Sequence, residues 1–238
     1  RKREIKNSID IPQKKLDKIK IMWYNHTVVK KCRISIRRGG ECMTKRLGEI
    51  ADISVGLPVY RKKSKNPTVE GEKYPMFSLQ SLSDGGGINK ASLDTFESVK
   101  KLNEKYFSKT GDIIMRQTAP FTAVYITEEL KDILIPDYFF IIKVKEPQAL
   151  LPEFLSLYLN SEKMRRIFVR LSTGVAVTKL FVKNLEAIKI PLFDMQKQRT
   201  IIPLNNLLVE REQLLVSFIE NNRKLQKGIN QKILNANI

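Results

Sequence analysis

Residues 171–202 read LSTGVAVTKLFVKNLEAIKIPLFDMQKQRTII. Small and hydroxyl-bearing residues open the stretch, which predicts a loop. AIKIPL (187–192) predicts a short strand with Pro191 at its edge or end, because proline has no N–H to give to a ladder. A Gln-rich basic turn follows, and beyond it apolar residues recur at helical spacing. The order is therefore loop, short strand, long helix.

That helix decides the architecture. With heptad a positions at Ile201, Leu208, Leu215, Asn222 and Ile229, the d positions fall at Leu204, Arg211, Phe218, Leu225 and Lys232. Seven of these ten are apolar, which predicts a coiled-coil seam with Asn222 as a register-setting polar residue. About 32 residues at ~1.5 Å each give a rod of roughly 48 Å. The competing reading is an amphipathic helix docked on its own domain. The seam is preferred because a lone helix of this length has little to cover it.

Upstream, strand and helix patterns mix. LGEIADISVG (47–56) reads as a helical turn leading into a strand, stopped by Gly56 and Pro58. YPMFSLQSLSDGGGI (74–88) reads as a strand and a turn, and SVKKLNEKYF (98–107) as a short helix. TGDIIMRQTAPFTAVYI (110–126) reads as a hairpin broken around Ala119-Pro120, and IPDYFFIIKVK (135–145) as a buried strand. LPEFLSLYLNSEKMRRIFVRLST (151–173) predicts one helix with an apolar stripe from Phe154 to Leu171. Its other face carries Lys163, Arg165, Arg166 and Arg170, and Thr178 is expected to cap a second short helix running through Leu185. The fold class expected is α+β: a mixed β domain with flanking helices over 43–200, then one long helix over 201–238.

Composition bounds the function. The 238 residues hold 43 basic and 25 acidic side chains, a net charge of +18, and such an excess points to a polyanionic partner, foremost nucleic acid. Residues 1–42 carry 13 Lys/Arg and 4 Asp/Glu, so half of the net charge sits in this basic extension. Two readings of the extension stand. In one, Met43 is the natural start, and codons for the preceding RRGGEC resemble a ribosome-binding site. In the other, the extension is a basic arm for a nucleic-acid backbone. Both cysteines, Cys32 and Cys42, and the single histidine, His26, lie in it, so the main body lacks the residues for a disulfide framework, a Cys metal site or a His-based triad. No apolar run reaches ~18 residues, so no membrane span is expected, and the location expected is the cytoplasm.

Catalytic motifs are missing as well. GGGINKAS (85–92) lacks the phosphate-loop spacing. Asp137 with Lys143 and Lys145 hints at a nuclease strand, but no acidic residue stands two before either lysine. The chain reads as a binder with no catalytic residue, no metal and no cofactor of its own. Three stretches are candidates for contact with double-stranded DNA. Arg61, Lys62, Lys63 and Lys65 form a basic loop able to neutralise phosphates. Arg116, Gln117 and Thr118 end a strand, and Arg and Gln pair with guanine and adenine edges. Ser172, Thr173, Thr178 and Lys179, with Gly174 among them, can approach a backbone closely. Gln80 completes the set. Each has an ordinary alternative: a solvated loop, a polar strand end, a helix connector. The seam residues Leu204, Leu208, Leu215, Phe218, Asn222, Leu225 and Ile229 are candidates for pairing with another chain.

The series KRLGEIADISVG, TGDIIM, LPEFLSLYLNSEKMRRIF, LSTGVAVTKLFVKNLEAIKIPL and DMQKQRTII, in that order, resembles one half of a type I restriction–modification DNA specificity subunit, from about Lys45 to the C-terminus. The resemblance implies a target-recognition domain plus a helical spacer. Family members carry two such units whose helices pair antiparallel, each domain reading half of a split site. It also implies a non-catalytic role, partners in the form of methyltransferase subunits that use S-adenosylmethionine, and a restriction motor subunit. This chain departs from the pattern in having a single unit, and in Pro203 at the entrance of the spacer, which puts the helix start in doubt. A half-subunit that homodimerises through residues 204–235 is expected. A truncated or rearranged allele, and an orphan protein that only docks on a methyltransferase, are the alternatives.

Overall fold

The computed structural model describes residues 43–59, 71–83, 86–98, 100–173 and 178–235, without the side chains of 212, 213 and 232–234. The chain divides into units 1–42 and 43–238, and the second is the one described. The basic loop Arg61, Lys62, Lys63 and Lys65, Gly174 and the N-terminal extension lie outside the described residues.

Four antiparallel strands form the centre, in the order β2 (Ala51–Val55), β7 (Phe139–Val144), β5 (Ile113–Arg116), β6 (Ala123–Tyr125). The run FFII in β7 has no polar face because both faces of the sheet are covered. Phe140 and Ile142 point with Ile113, Met115 and Ala123 into the larger core; Phe139 and Ile141 point with Ile114 and Val124 into a second one. Strict alternation in a doubly covered strand leaves an unbroken apolar sequence. Gly56 ends β2, where a Cβ would stand 2.2 Å from the Pro136 carbonyl oxygen and 2.3 Å from that of Ile135.

Two small ladders flank this sheet. β1 (Thr44–Arg46) pairs with β8 (Lys189–Pro191), and β3 (Glu72–Met76) with β4 (Asp94–Ser98), the latter over Leu57, Phe96, Leu102 and Leu134. Pro191 is the last residue of its strand, as its missing N–H requires. Residues 98–107 are not the helix their composition suggests. Ser98 closes β4, and Asn103 caps a single 3₁₀ turn over Glu104–Tyr106, because Leu102 must reach the core beneath β3 and β4.

The larger core lies under the helices. α1 (Leu47–Ile50) and α4 (Val182–Glu186) are short; α2 (Pro152–Leu159) and α3 (Glu162–Leu171) replace the single helix expected over 151–173. The break falls at Asn160, whose amide donates to the Ala123 carbonyl at 2.6 Å and accepts from its N–H at 2.8 Å. Ser161 then caps α3. Phe181, not Thr178, occupies the N-cap of α4.

α5 (Met195–Asn235) is the long helix. It starts six residues before the expected boundary at 201, because the Asp194 carboxylate accepts from the Gln196 N–H at 2.7 Å and closes its first turn. Pro203 consequently lies well inside the helix rather than at its entrance. Its first turns pack on α2, with Gln198 and Asn205 buried and Ile201 and Ile202 against the core. Beyond them the helix emerges: Leu204, Leu207, Leu214, Leu215, Phe218, Ile219, Leu225 and Ile229 are all exposed. Among the described residues no helix is long and apolar enough to cross a membrane.

Candidate nucleic-acid interface

A ladder of single bridges gathers part of the candidate set at the end of the β5–β6 hairpin. Lys179 bridges both Thr118 and Thr173. Its N–H donates to the Thr173 carbonyl at 2.9 Å, and its carbonyl accepts from the Thr173 N–H at 3.1 Å. The next residue, Leu180, donates to the Gln117 carbonyl at 2.8 Å and buries its side chain in the larger core. Residues 178–180 thus lie as a short extended segment between the hairpin turn at 118–121 and the end of α3. The Asn184 amide donates to the Leu171 carbonyl at 2.7 Å and ties α4 to the same place.

The result is a platform on a rigid base. Thr173, Thr178 and Lys179 are exposed, Thr118 is half-buried at the hairpin turn, and Ser172 spends its hydroxyl on the Val169 carbonyl at 2.9 Å. Arg170, Phe181 and Lys183 add to the exposed surface, and Arg170, Lys179 and Lys183 form no ion pair with the described carboxylates. On α3, Arg166 is paired with Glu162, and Lys163 is exposed. Exposed hydroxyls, cations and one bare aromatic ring in neighbouring segments suit a phosphate backbone and its sugars. Arg170, Phe181 and Lys183 were absent from the candidates read in the sequence. The signal for Phe181 and Lys183 was the alternation KLFVK at 179–183, which buries Leu180 and exposes Lys179, Phe181 and Lys183, and that for Arg170 was its place on the basic face of the helix pattern.

Two members of the set are placed elsewhere. Gln117 is buried, with its Nε2 donating to the Phe139 carbonyl at 3.2 Å. Arg116 is half-buried and its Nη2 donates to the Leu82 carbonyl at 3.1 Å. Neither presents the paired donors that reading a base edge needs; both hold the end of β5 to its neighbours. Gln80 is exposed on a 3₁₀ turn, Leu79–Ser81, fixed by reciprocal Ser78–Ser81 hydrogen bonds. Arg116 thereby steadies the loop that carries Gln80.

The sheet's own charges make a different group. Asp112 is buried 3.7 Å from Lys143, and Lys145 reaches Asp52 at 3.3 Å. Burial pushes the Asp112 carboxyl up, and the positive charge of Lys143 partly offsets this. Among the described residues no three His, Cys, Asp or Glu side chains are grouped to hold a metal ion.

The family described as "Type I restriction modification DNA specificity domain" matches residues 40–204. The chain belongs to this family. The matched segment of this specificity-domain chain covers the sheet, the helices and the whole platform, and stops at the point where α5 leaves the domain. Solved structures agree on the fold. One, titled as the structural basis of complex assembly and conformational transition of the type I R-M system, is 15% identical, covers 85% of this chain and 49% of its own, and has a TM-score of 0.53. The crystal structure of the HsdS subunit from Thermoanaerobacter tengcongensis is 16% identical, covers 83% and 47%, and has a TM-score of 0.52. The specificity-domain chain spans about half the length of each. A comparison with curated proteins gave no match.

Proposed function

We propose that this chain is a non-catalytic reader that recognises one half of a split double-stranded DNA site. It carries methyltransferase subunits, which supply the S-adenosylmethionine chemistry, and a restriction motor subunit to that site in the cytoplasm. The observation that carries the reading is the family match over the whole recognition domain. The platform around Thr118, Thr173, Thr178 and Lys179 supplies donors and positive charge for the backbone. The exposed apolar seam of α5 supplies a pairing surface, and a second copy of the chain would provide the other recognition domain. A two-fold pair reads a palindromic split site.

The test is to express the chain with its methyltransferase subunit and map methylated positions across a genome. A single split motif with self-complementary halves is the expected result. Methylation without a motif leaves only a docking module, and an asymmetric motif requires a different second half.

A further inference from the structure

Between Leu204 and Ile229 the seam of α5 carries two polar residues, Arg211 and Asn222, among apolar ones, and Lys232 follows at the far end. Side by side, two such helices must put each of them against something. In a parallel pair Arg211 meets Arg211 of the other copy, which sets like charges face to face in the interface. In an antiparallel pair an a residue meets a d residue, and only certain offsets are allowed. One offset joins Leu204 to Ile229, Leu208 to Leu225, Leu215 to Phe218 and Arg211 to Asn222. Every apolar seam residue from Leu204 to Ile229 then has an apolar partner, Ile201 being already packed against its own domain, and the guanidinium faces the one seam side chain with an amide oxygen to accept from it. Sliding by one heptad sets Asn222 against Phe218 and Arg211 against Ile229. Sliding the other way sets Arg211 against Leu215 and Asn222 against Leu204. Each shift strands a polar group in an apolar layer.

Two further observations favour the same alignment. Glu210, Glu212 and Glu220 against Arg211 give residues 204–221 a net charge of −2, whereas Arg223, Lys224, Lys227 and Lys232 give 222–235 a net charge of +4. Antiparallel pairing lays these halves on each other. Leu207, 63% exposed, then lies beside Gly228 of the second copy, around which nothing stands within 4 Å of where a Cβ would be.

Building on the pairing of two copies proposed above, we infer that Arg211 and Asn222 are the register-determining residues of the assembly. They lock two copies antiparallel about a two-fold axis between Val216 and Ser217. The offset brings Leu204 of one copy level with Ile229 of the other. The two points where the rods leave their domains are then 25 residues apart, about 38 Å of helix, close to one turn of B-DNA.

The experiment uses the full chain with Cys32 and Cys42 changed to Ser, in copies with two different affinity tags. Mixing Leu204→Cys with Ile229→Cys under mild oxidation is expected to give a mixed disulfide in most of the dimer, and Leu204→Cys alone is expected to give essentially none. Self-crosslinking of Leu204→Cys overturns the orientation, and crosslinking of Leu204→Cys with Asn222→Cys overturns the register. Either result leaves the pairing itself standing. A chain that sediments as a monomer at high micromolar concentration overturns the pairing and the register together. In a double variant, Arg211→Leu with Asn222→Leu, the dimer persists but both kinds of crosslink form, at least tenfold more Leu204–Leu204 product than in the parent. An unchanged crosslink pattern there removes the role assigned to the two polar residues.

Discussion

Gln198 offers the sharpest test of how the long helix is anchored. It is fully buried in the second turn of α5. Its Oε1 accepts from the Leu151 N–H at 2.8 Å, and its Nε2 donates to the Ala149 carbonyl at 3.0 Å and the Phe193 carbonyl at 2.7 Å. One amide therefore satisfies the start of α2, the turn before it and the segment leading into α5. Gln198→Ala removes three hydrogen bonds, each worth about 1 kcal/mol net, and leaves one N–H and two carbonyls without their partner in a site closed to water. Orphaning a buried group costs about 1–3 kcal/mol. Allowing for water entering the space left behind, the loss should be about 3–5 kcal/mol, or roughly 6–20 °C in melting temperature for a domain of this size. Gln198→Leu fills the volume but leaves the same orphans, so it should lose nearly as much; packing alone predicts that Leu restores stability. Urea unfolding followed by far-UV circular dichroism reads both variants. A loss under about 1 kcal/mol in both refutes the reasoning.

Gly56→Ala should destabilise by about 1–3 kcal/mol or more in the same assay, because its methyl group meets two carbonyl oxygens on fixed backbone. Arg116→Ala should lower stability by about 1.5–3 kcal/mol, the range for hydrogen bonds to a charged group, and leave base preference unchanged in a selection from random duplexes. Lys179→Ala should weaken DNA binding evenly over all sequences and make the slope of log affinity against log salt shallower by about 0.9, as one lost phosphate contact requires; a sequence-dependent loss would make it a base contact. Asp112 has a folded carboxyl raised by burial, so the folded state binds its proton more tightly than the unfolded chain does. The stability of the parent relative to Asp112→Asn should therefore fall as pH rises from the ordinary Asp value of about 3.9 through the folded value, and level off above it. A difference that grows with pH contradicts the assignment.

Much of the sheet was legible because its signals are local. The Ala119-Pro120 break marked the hairpin, and the unbroken apolar run of β7 marked a doubly covered strand. What escaped depended on distant neighbours. Nothing adjacent to Asn160 says that its amide will pair with the backbone of Ala123, so the pattern over 151–173 looked continuous. Lys100, Lys101 and Glu104 gave 98–107 a helical composition, but the ladder with β3 and the burial of Leu102 overrode it. The heptad count set the helix start at Ile201, past the Asp194 carboxylate that closes the first turn. Among the candidates, type and spacing pointed to Thr118, Thr173, Thr178 and Lys179, which a ladder of single bridges brings to one place. Type alone also suggested Arg116 and Gln117, whose inward direction is set by sheet pairing.

Because α5 is rooted at Met195 inside the recognition domain, rod and domain turn together as one lever. One residue inserted where the rod emerges, just before Leu204, lengthens the reach by only about 1.5 Å but swings the domain about 100° around the rod. Two reading heads stay on the same side of a duplex only when such insertions come in sevens or near it. Azimuth, more than length, is what evolution or an engineer must conserve when changing the gap.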